Sequence, residues 1–115
     1  MRILIVDDEK EITDSLSYYL NLTGHNAIAC QDGLSALEIM DRNKFDLVIT
    51  DIGMPRMNGV ELINRIRQVN RVQPVICLSA YADIMSLELK DLAVLAILEK
   101  PVDFEYLSSV LSSVK

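Results

Sequence analysis

The chain has 115 residues, the length of one domain. Half of them are hydrophobic and 24% are charged, a balance that suits a folded globular chain and not a disordered one. Seventeen acids against eleven lysines and arginines give a net charge of −6, which argues against direct nucleic-acid binding, since phosphate neutralisation needs a basic face. No apolar run approaches the ~20 residues of a membrane span. The apolar start, Ile3-Leu4-Ile5-Val6, is cut short by Asp7 and Asp8, so it does not read as an export signal. The expected compartment is cytoplasmic, with no membrane contact. Cys30 and Cys77 are isolated and lie in apolar segments, where buried, inert thiols are expected. His25, the single histidine, adjoins Gly24 in a polar connection and reads as a loop residue.

In chain order, residues 2–6 form a buried-strand run, and residues 10–22 carry Ile12, Leu16, Tyr19 and Leu20 at helical spacing. Gly24 suits the stop of that helix. Residues 26–30 are a second, weaker strand. Asp32 caps a helix running to about residue 42, with Leu34, Leu37 and Met40 on one face. Residues 46–50 are a third strand, and Asn58 caps a helix carrying Val60, Ile63 and Ile66. Residues 74–78 are a fourth strand. Asp83 opens a helix to about residue 92, residues 95–99 are a fifth strand, and Asp103 caps a last helix to about residue 114. Strands and helices alternate strictly, five of each. Strands apolar on both faces imply a parallel sheet covered by helices on both sides. The expected fold is therefore a single α/β domain over residues 1–115, a doubly wound (βα)5 arrangement.

The polar residues fall at informative places. Ligands of open α/β sheets bind beyond the carboxyl ends of the strands. Asp7 and Asp8 end the first strand, Asp51 the third, Ser79 the fourth and Lys100 the fifth. With strand order 2-1-3-4-5, the first and third strands are neighbours and the three aspartates converge. Converging carboxylates repel, and alone at least one would take up a proton. A hard divalent cation such as Mg²⁺ removes that conflict. A lysine and a hydroxyl at the same rim complement phosphoryl oxygens. Together these groups describe phosphoryl transfer onto an aspartate. Taken singly, each has a plainer reading: Asp7-Asp8-Glu9 as a helix cap, Asp51 as a turn residue, Ser79 as a loop serine, Lys100 as a solvated lysine. Their conjunction at four strand ends is what the plainer readings leave unexplained.

On these residues the sequence resembles a response-regulator receiver domain of two-component signalling, over the whole chain. The carrying segments are Ile3-Leu4-Ile5-Val6-Asp7-Asp8-Glu9, residues 46–59 from Asp46 through Thr50-Asp51-Ile52-Gly53-Met54-Pro55 to Asn58-Gly59, then Leu78-Ser79-Ala80, and Glu99-Lys100-Pro101. The resemblance implies that Asp51 is the phosphoacceptor. It implies Mg²⁺ on Asp8 and Asp51, with Asp7 acting largely through a water and the Gly53 carbonyl completing the protein ligands. Ser79 would hydrogen-bond the phosphoryl group, and Lys100 would pair with Asp51 and then with phosphoryl oxygens. Ala80 would leave room beside them, and the Lys100-Pro101 bond would be cis. The implied phosphodonor is a histidine kinase or phosphotransfer protein, and the implied reader is a downstream protein or an attached output domain. No turnover beyond the chain's own phosphorylation and dephosphorylation is implied.

The chain also departs from the family pattern. Ile97 stands where the family usually has Tyr or Phe, and Leu92-Ala93-Val94-Leu95-Ala96 lacks the usual Gly-Ala. With Ile97 there, the readout is expected to run through the loop after Ser79, where Tyr81 is the nearest large side chain. Two other readings are weighed. A Mg²⁺-dependent phosphohydrolase of the haloacid-dehalogenase type would carry an acid two residues after the nucleophile, where this chain has Gly53. A degenerate receiver that only binds protein is disfavoured by the intact acids, Ser79 and Lys100. The helix at 83–92 carries Ile84, Met85, Leu87, Leu89 and Leu92 in too many directions for one buried face, so the 83–115 face is a candidate partner or homodimer surface.

Overall fold

The computed structural model describes residues 1–80 and 93–114. Its elements in chain order are β1 (Arg2–Val6), α1 (Lys10–Leu22), β2 (Asn26–Cys30), α2 (Gly33–Arg42), β3 (Leu47–Asp51), α3 (Gly59–Val69), β4 (Val75–Ser79), β5 (Ala96–Glu99) and α4 (Phe104–Leu111). The sheet has five strands in the order β2-β1-β3-β4-β5. Every pairing is parallel, as the sequence pattern implies. The expected helix at 83–92 and Tyr81 lie outside the described residues.

Alternation along the central strands divides the apolar residues between two cores. Ile3, Ile5, Leu47, Ile49, Ile76 and Leu78 face Leu16 and Leu20 of α1 and Leu107 and Leu111 of α4. Leu4, Val6, Val48, Val75 and Cys77 face Ala36 of α2 and Leu62, Ile63 and Ile66 of α3. Burial of each such large side chain contributes about 1.5–3 kcal/mol, so both faces of the sheet drive folding. The edge strands are less covered: β5 runs half-buried, half-buried, buried, exposed. Ile97 is accordingly half-buried, not fully enclosed, and packs toward the α2–α3 core.

Local chemistry explains the element ends. Asp32 accepts from the Ser35 N–H, Asn58 from that of Glu61, and Asp103 from those of Glu105 and Tyr106. Glu9 occupies the N-cap position of α1, yet its side chain makes no cap bond. Three strands begin one residue later than the pattern suggests. For β4 the cause is Pro74, which has no N–H to give the ladder; its carbonyl instead accepts from Val48 at 3.0 Å. The last helix ends at Leu111 and not near residue 114. The Ser112 and Ser113 hydroxyls bond the carbonyls of Ser109 and Val110, a local competition with the helical ladder. Leu34 lies on the expected apolar stripe of α2 yet is exposed, because it sits in the first turn, beyond the core that Ala36, Leu37 and Met40 reach.

Candidate functional site

The strand ends assemble one rim. Asp7 follows β1, and its N–H donates to the Cys30 carbonyl at 3.2 Å. Asp51 is the last residue of β3, in register with Leu78 of β4. The Ile52 N–H continues that ladder to the Leu78 carbonyl at 3.0 Å, and the Lys100 N–H reaches the Ser79 carbonyl at 2.9 Å. The Lys100-Pro101 bond is cis.

This backbone brings together oxygens of Asp7, Asp8 and Asp51, all within 4.8 Å of one another. Asp7 is fully buried, Asp51 is 4% exposed, and Asp8 opens to solvent. Lys100 Nζ lies 2.9 Å from Asp7 Oδ2, 3.2 Å from Asp51 Oδ1 and 3.2 Å from Glu9 Oε1. Asp7 Oδ1 accepts from the Glu9 N–H at 2.9 Å. Asp7 Oδ2 has no hydrogen-bond partner, so the ion pair with Lys100 is what compensates its burial. The electrostatics follow. Burial raises the pKa of Asp7, the Glu9 N–H and Lys100 oppose that rise, and the Asp51 charge adds to it. Burial also works against the Lys100 charge, but Asp7, Asp51 and Glu9 outweigh it and the lysine pKa is raised.

A small divalent cation fits this donor set. The three acids offer hard oxygens at close range, and Asp7 Oδ2 is buried with Lys100 Nζ, 2.9 Å away, as its only compensating charge. Gly53 lies exposed two residues past the end of β3. Ser79 is buried at the end of β4, but its hydroxyl donates to the Ala80 carbonyl at 2.6 Å and not to the acids. The remaining reactive side chains lie elsewhere. Cys30 and Cys77 are buried free thiols, pushed by that burial up to about 11 and about 12. His25 accompanies the N-terminal amine at 3.2 Å.

Two residues of this region escape a one-dimensional reading. Glu9 reaches the lysine from 91 positions away. Gly59, at the start of α3, sits so close to the end of β3 that a Cβ there would lie 2.7 Å from Ile52 Cα and closer still to the Asp51 carbonyl oxygen. Its N–H donates to the Ile52 carbonyl at 2.8 Å. The glycine in Asn58-Gly59 was visible as a helix start, but its spatial partner was not.

Fold and rim together define a class: a parallel α/β domain with a cluster of three aspartates and a lysine at the carboxyl ends of its strands. Residues 3–112 match the family model for the response regulator receiver domain. Sporulation initiation phosphotransferase F of Bacillus subtilis (strain 168) is 34% identical over 105 residues, which cover 90% of this chain and 85% of that protein. The transcriptional regulatory protein CpxR of Escherichia coli (strain K12) is 39% identical over 79 residues, 69% of this chain but 33% of that protein. For the response regulator MprA of Mycobacterium sp. (strain KMS) the matched share of the relative is 35%, so this chain spans about a third of such relatives. Among solved structures, a response regulator receiver protein from Pseudomonas putida superposes with a TM-score of 0.91 at 29% identity, covering 96% of this chain and 94% of that one. The response regulator TrrA from Thermotoga maritima, solved in complex with Mg²⁺-BeF, superposes with a TM-score of 0.89 at 30% identity, covering 99% and 98%. The chain belongs to the response regulator receiver domain family, the phosphoryl-accepting switches of two-component signalling. Membership and the intact acid–lysine rim favour this switch over the phosphohydrolase and over a receiver that only binds protein.

Proposed function

We propose that Asp51 accepts a phosphoryl group from a phosphohistidine of a histidine kinase or phosphotransfer protein, with residues 1–115 acting as the receiver unit. The observation that carries this reading is the position of Asp51: nearly buried at the end of β3, within the three-acid cluster, and 3.2 Å from Lys100 Nζ. A carboxylate oxygen of Asp51 attacks phosphorus, the donor nitrogen leaves, and the product is a mixed acyl phosphate. Asp7, Asp8, Asp51 and the Gly53 carbonyl would hold Mg²⁺. Bound there, the cation supplies charge neutralisation for the attacking carboxylate and the transferring oxygens. Lys100, already at Asp51, follows the negative charge onto the phosphoryl oxygens as a compact ammonium on a flexible stem. Ser79 gives up the Ala80 carbonyl and donates its hydroxyl to the phosphoryl group. The chain turns over no separate substrate in this reading.

The phosphorylated form then alters binding to a downstream protein or an attached output domain. The exposed Leu95 and Tyr106 belong to the described part of the 83–115 face, which serves as the partner or homodimer surface. Among the described residues no helix is long and apolar enough to cross a membrane, and the cytoplasm is where such a phosphodonor would meet this domain. Incubation with Mg²⁺ and acetyl phosphate gives a base-labile adduct in this reading, and Asp51→Asn abolishes it. An equally labelled Asp51→Asn protein overturns the assignment.

A further inference from the structure

We propose that Glu9 is a positioning residue for Lys100: it holds the ammonium in the resting rim and so slows its transfer to a phosphoryl group on Asp51. This rests on the phosphoryl-acceptor reading above. An ammonium has three N–H donors, and three carboxylates surround this one, with Asp7, Asp51 and Glu9 at 2.9, 3.2 and 3.2 Å. Asp7 and Asp51 belong to the three-acid cation cluster, and Glu9 stands outside it. Its side chain is 61% exposed, so it can be replaced without removing a cation ligand or opening the core.

A second observation frees Glu9 from the plainer role. Its backbone sits at the N-cap position of α1, where a polar side chain ordinarily bonds the first turn, yet its carboxylate makes no cap bond. The carboxylate instead accepts from Lys100 Nζ at 3.2 Å. The Glu9 N–H bond to Asp7 Oδ1 fixes the backbone from which that carboxylate reaches out. When phosphate arrives on Asp51, Lys100 must turn toward the new oxygens. The Glu9 contact must then weaken, and a negative charge is left across one ammonium from the phosphoryl group. Both effects stabilise the resting state relative to the phosphorylated one.

The experiment is the rate of Asp51 phosphorylation by acetyl phosphate at saturating Mg²⁺. Glu9→Gln is expected to raise it about two- to fivefold, the range that one exposed ion pair supports. Glu9→Asp, one methylene shorter, keeps the charge but loses the reach and is expected to rise similarly. In a Lys100→Ala background, slow but measurable, Glu9→Gln is expected to change nothing, because the residue acts through the lysine. An unchanged rate in Glu9→Gln overturns the proposal. So does a wild-type rate in Glu9→Asp, or an equal rise in the Lys100→Ala background, since either makes Glu9 a diffuse charge only. Labelling that survives Asp51→Asn would instead defeat the acceptor assignment, which keeps the two failures apart.

Discussion

At the scale of single residues, Gly59 matters because of what it lacks. The N-terminus of α3 lies against the backbone that presents Asp51, and any Cβ would press on Asp51 and Ile52 main chain. Backbone cannot turn aside as a flexible side chain can. Gly59→Ala is therefore expected to lower stability by about 1–3 kcal/mol, the cost of overpacking, and to slow Asp51 phosphorylation several-fold. Chemical denaturation and acetyl phosphate labelling check the two parts; a labelling rate equal to wild type would show that the strain is absorbed away from Asp51. The acids and Lys100 were legible from sequence because a residue at the end of a parallel strand has its place set by topology. Gly59 and Glu9 were not, because their partners are fixed only by how α3 meets β3 and how β5 meets the start of α1. Ser79 was placed correctly at its strand end, yet its hydroxyl direction, toward the Ala80 carbonyl, is a rotamer and leaves no mark on residue order.

At the scale of elements, α4 has only eight residues, and short helices depend on their ends and on packing. Asp103 accepts from two N–H groups of its first turn, at 2.9 and 3.2 Å. Tyr19 of α1 stacks on Phe104, with ring centroids 4.5 Å apart, and its hydroxyl lies 2.7 Å from Ser108 Oγ. Asp103→Ala is expected to cost about 0.5–2 kcal/mol, read as a lowered denaturation midpoint with an unchanged slope. No loss would mean that the Tyr19 clasp alone holds the helix. Helix and strand types were readable from apolar period, and caps at Asp32, Asn58 and Asp103 from residue type. Boundaries were less so. Asp51 and Ser79 look like the residues that follow a strand, but the ladder does not distinguish polar side chains and includes both. Leu34 shows the reverse case: an apolar residue on the right stripe, one turn short of anything to cover it.

At the scale of the molecule, the apo rim sets buried negative charge against one lysine. A cation that binds the folded rim and not the unfolded chain stabilises by mass action. Mg²⁺ is thus expected to raise the melting temperature, and Asp8→Ala to lose most of that rise; an equal rise in both proteins would move the cation elsewhere. With Ile97 half-buried in the edge strand, the readout is expected to bypass an aromatic rotamer there, and the loop route through Tyr81 begins just past the described residues. The two cores follow from alternation and periodicity in the chain, and the rim follows once the strands take the order β2-β1-β3-β4-β5. The main-chain bonds from Ile52 to Leu78 and from Lys100 to Ser79 carry a wider consequence. They tie three site-bearing segments together without using a single side chain. A frame held by main chain alone is indifferent to side-chain identity, so substitutions at Glu9 are expected to change the rate of phosphoryl acceptance while the strand ends stay in register.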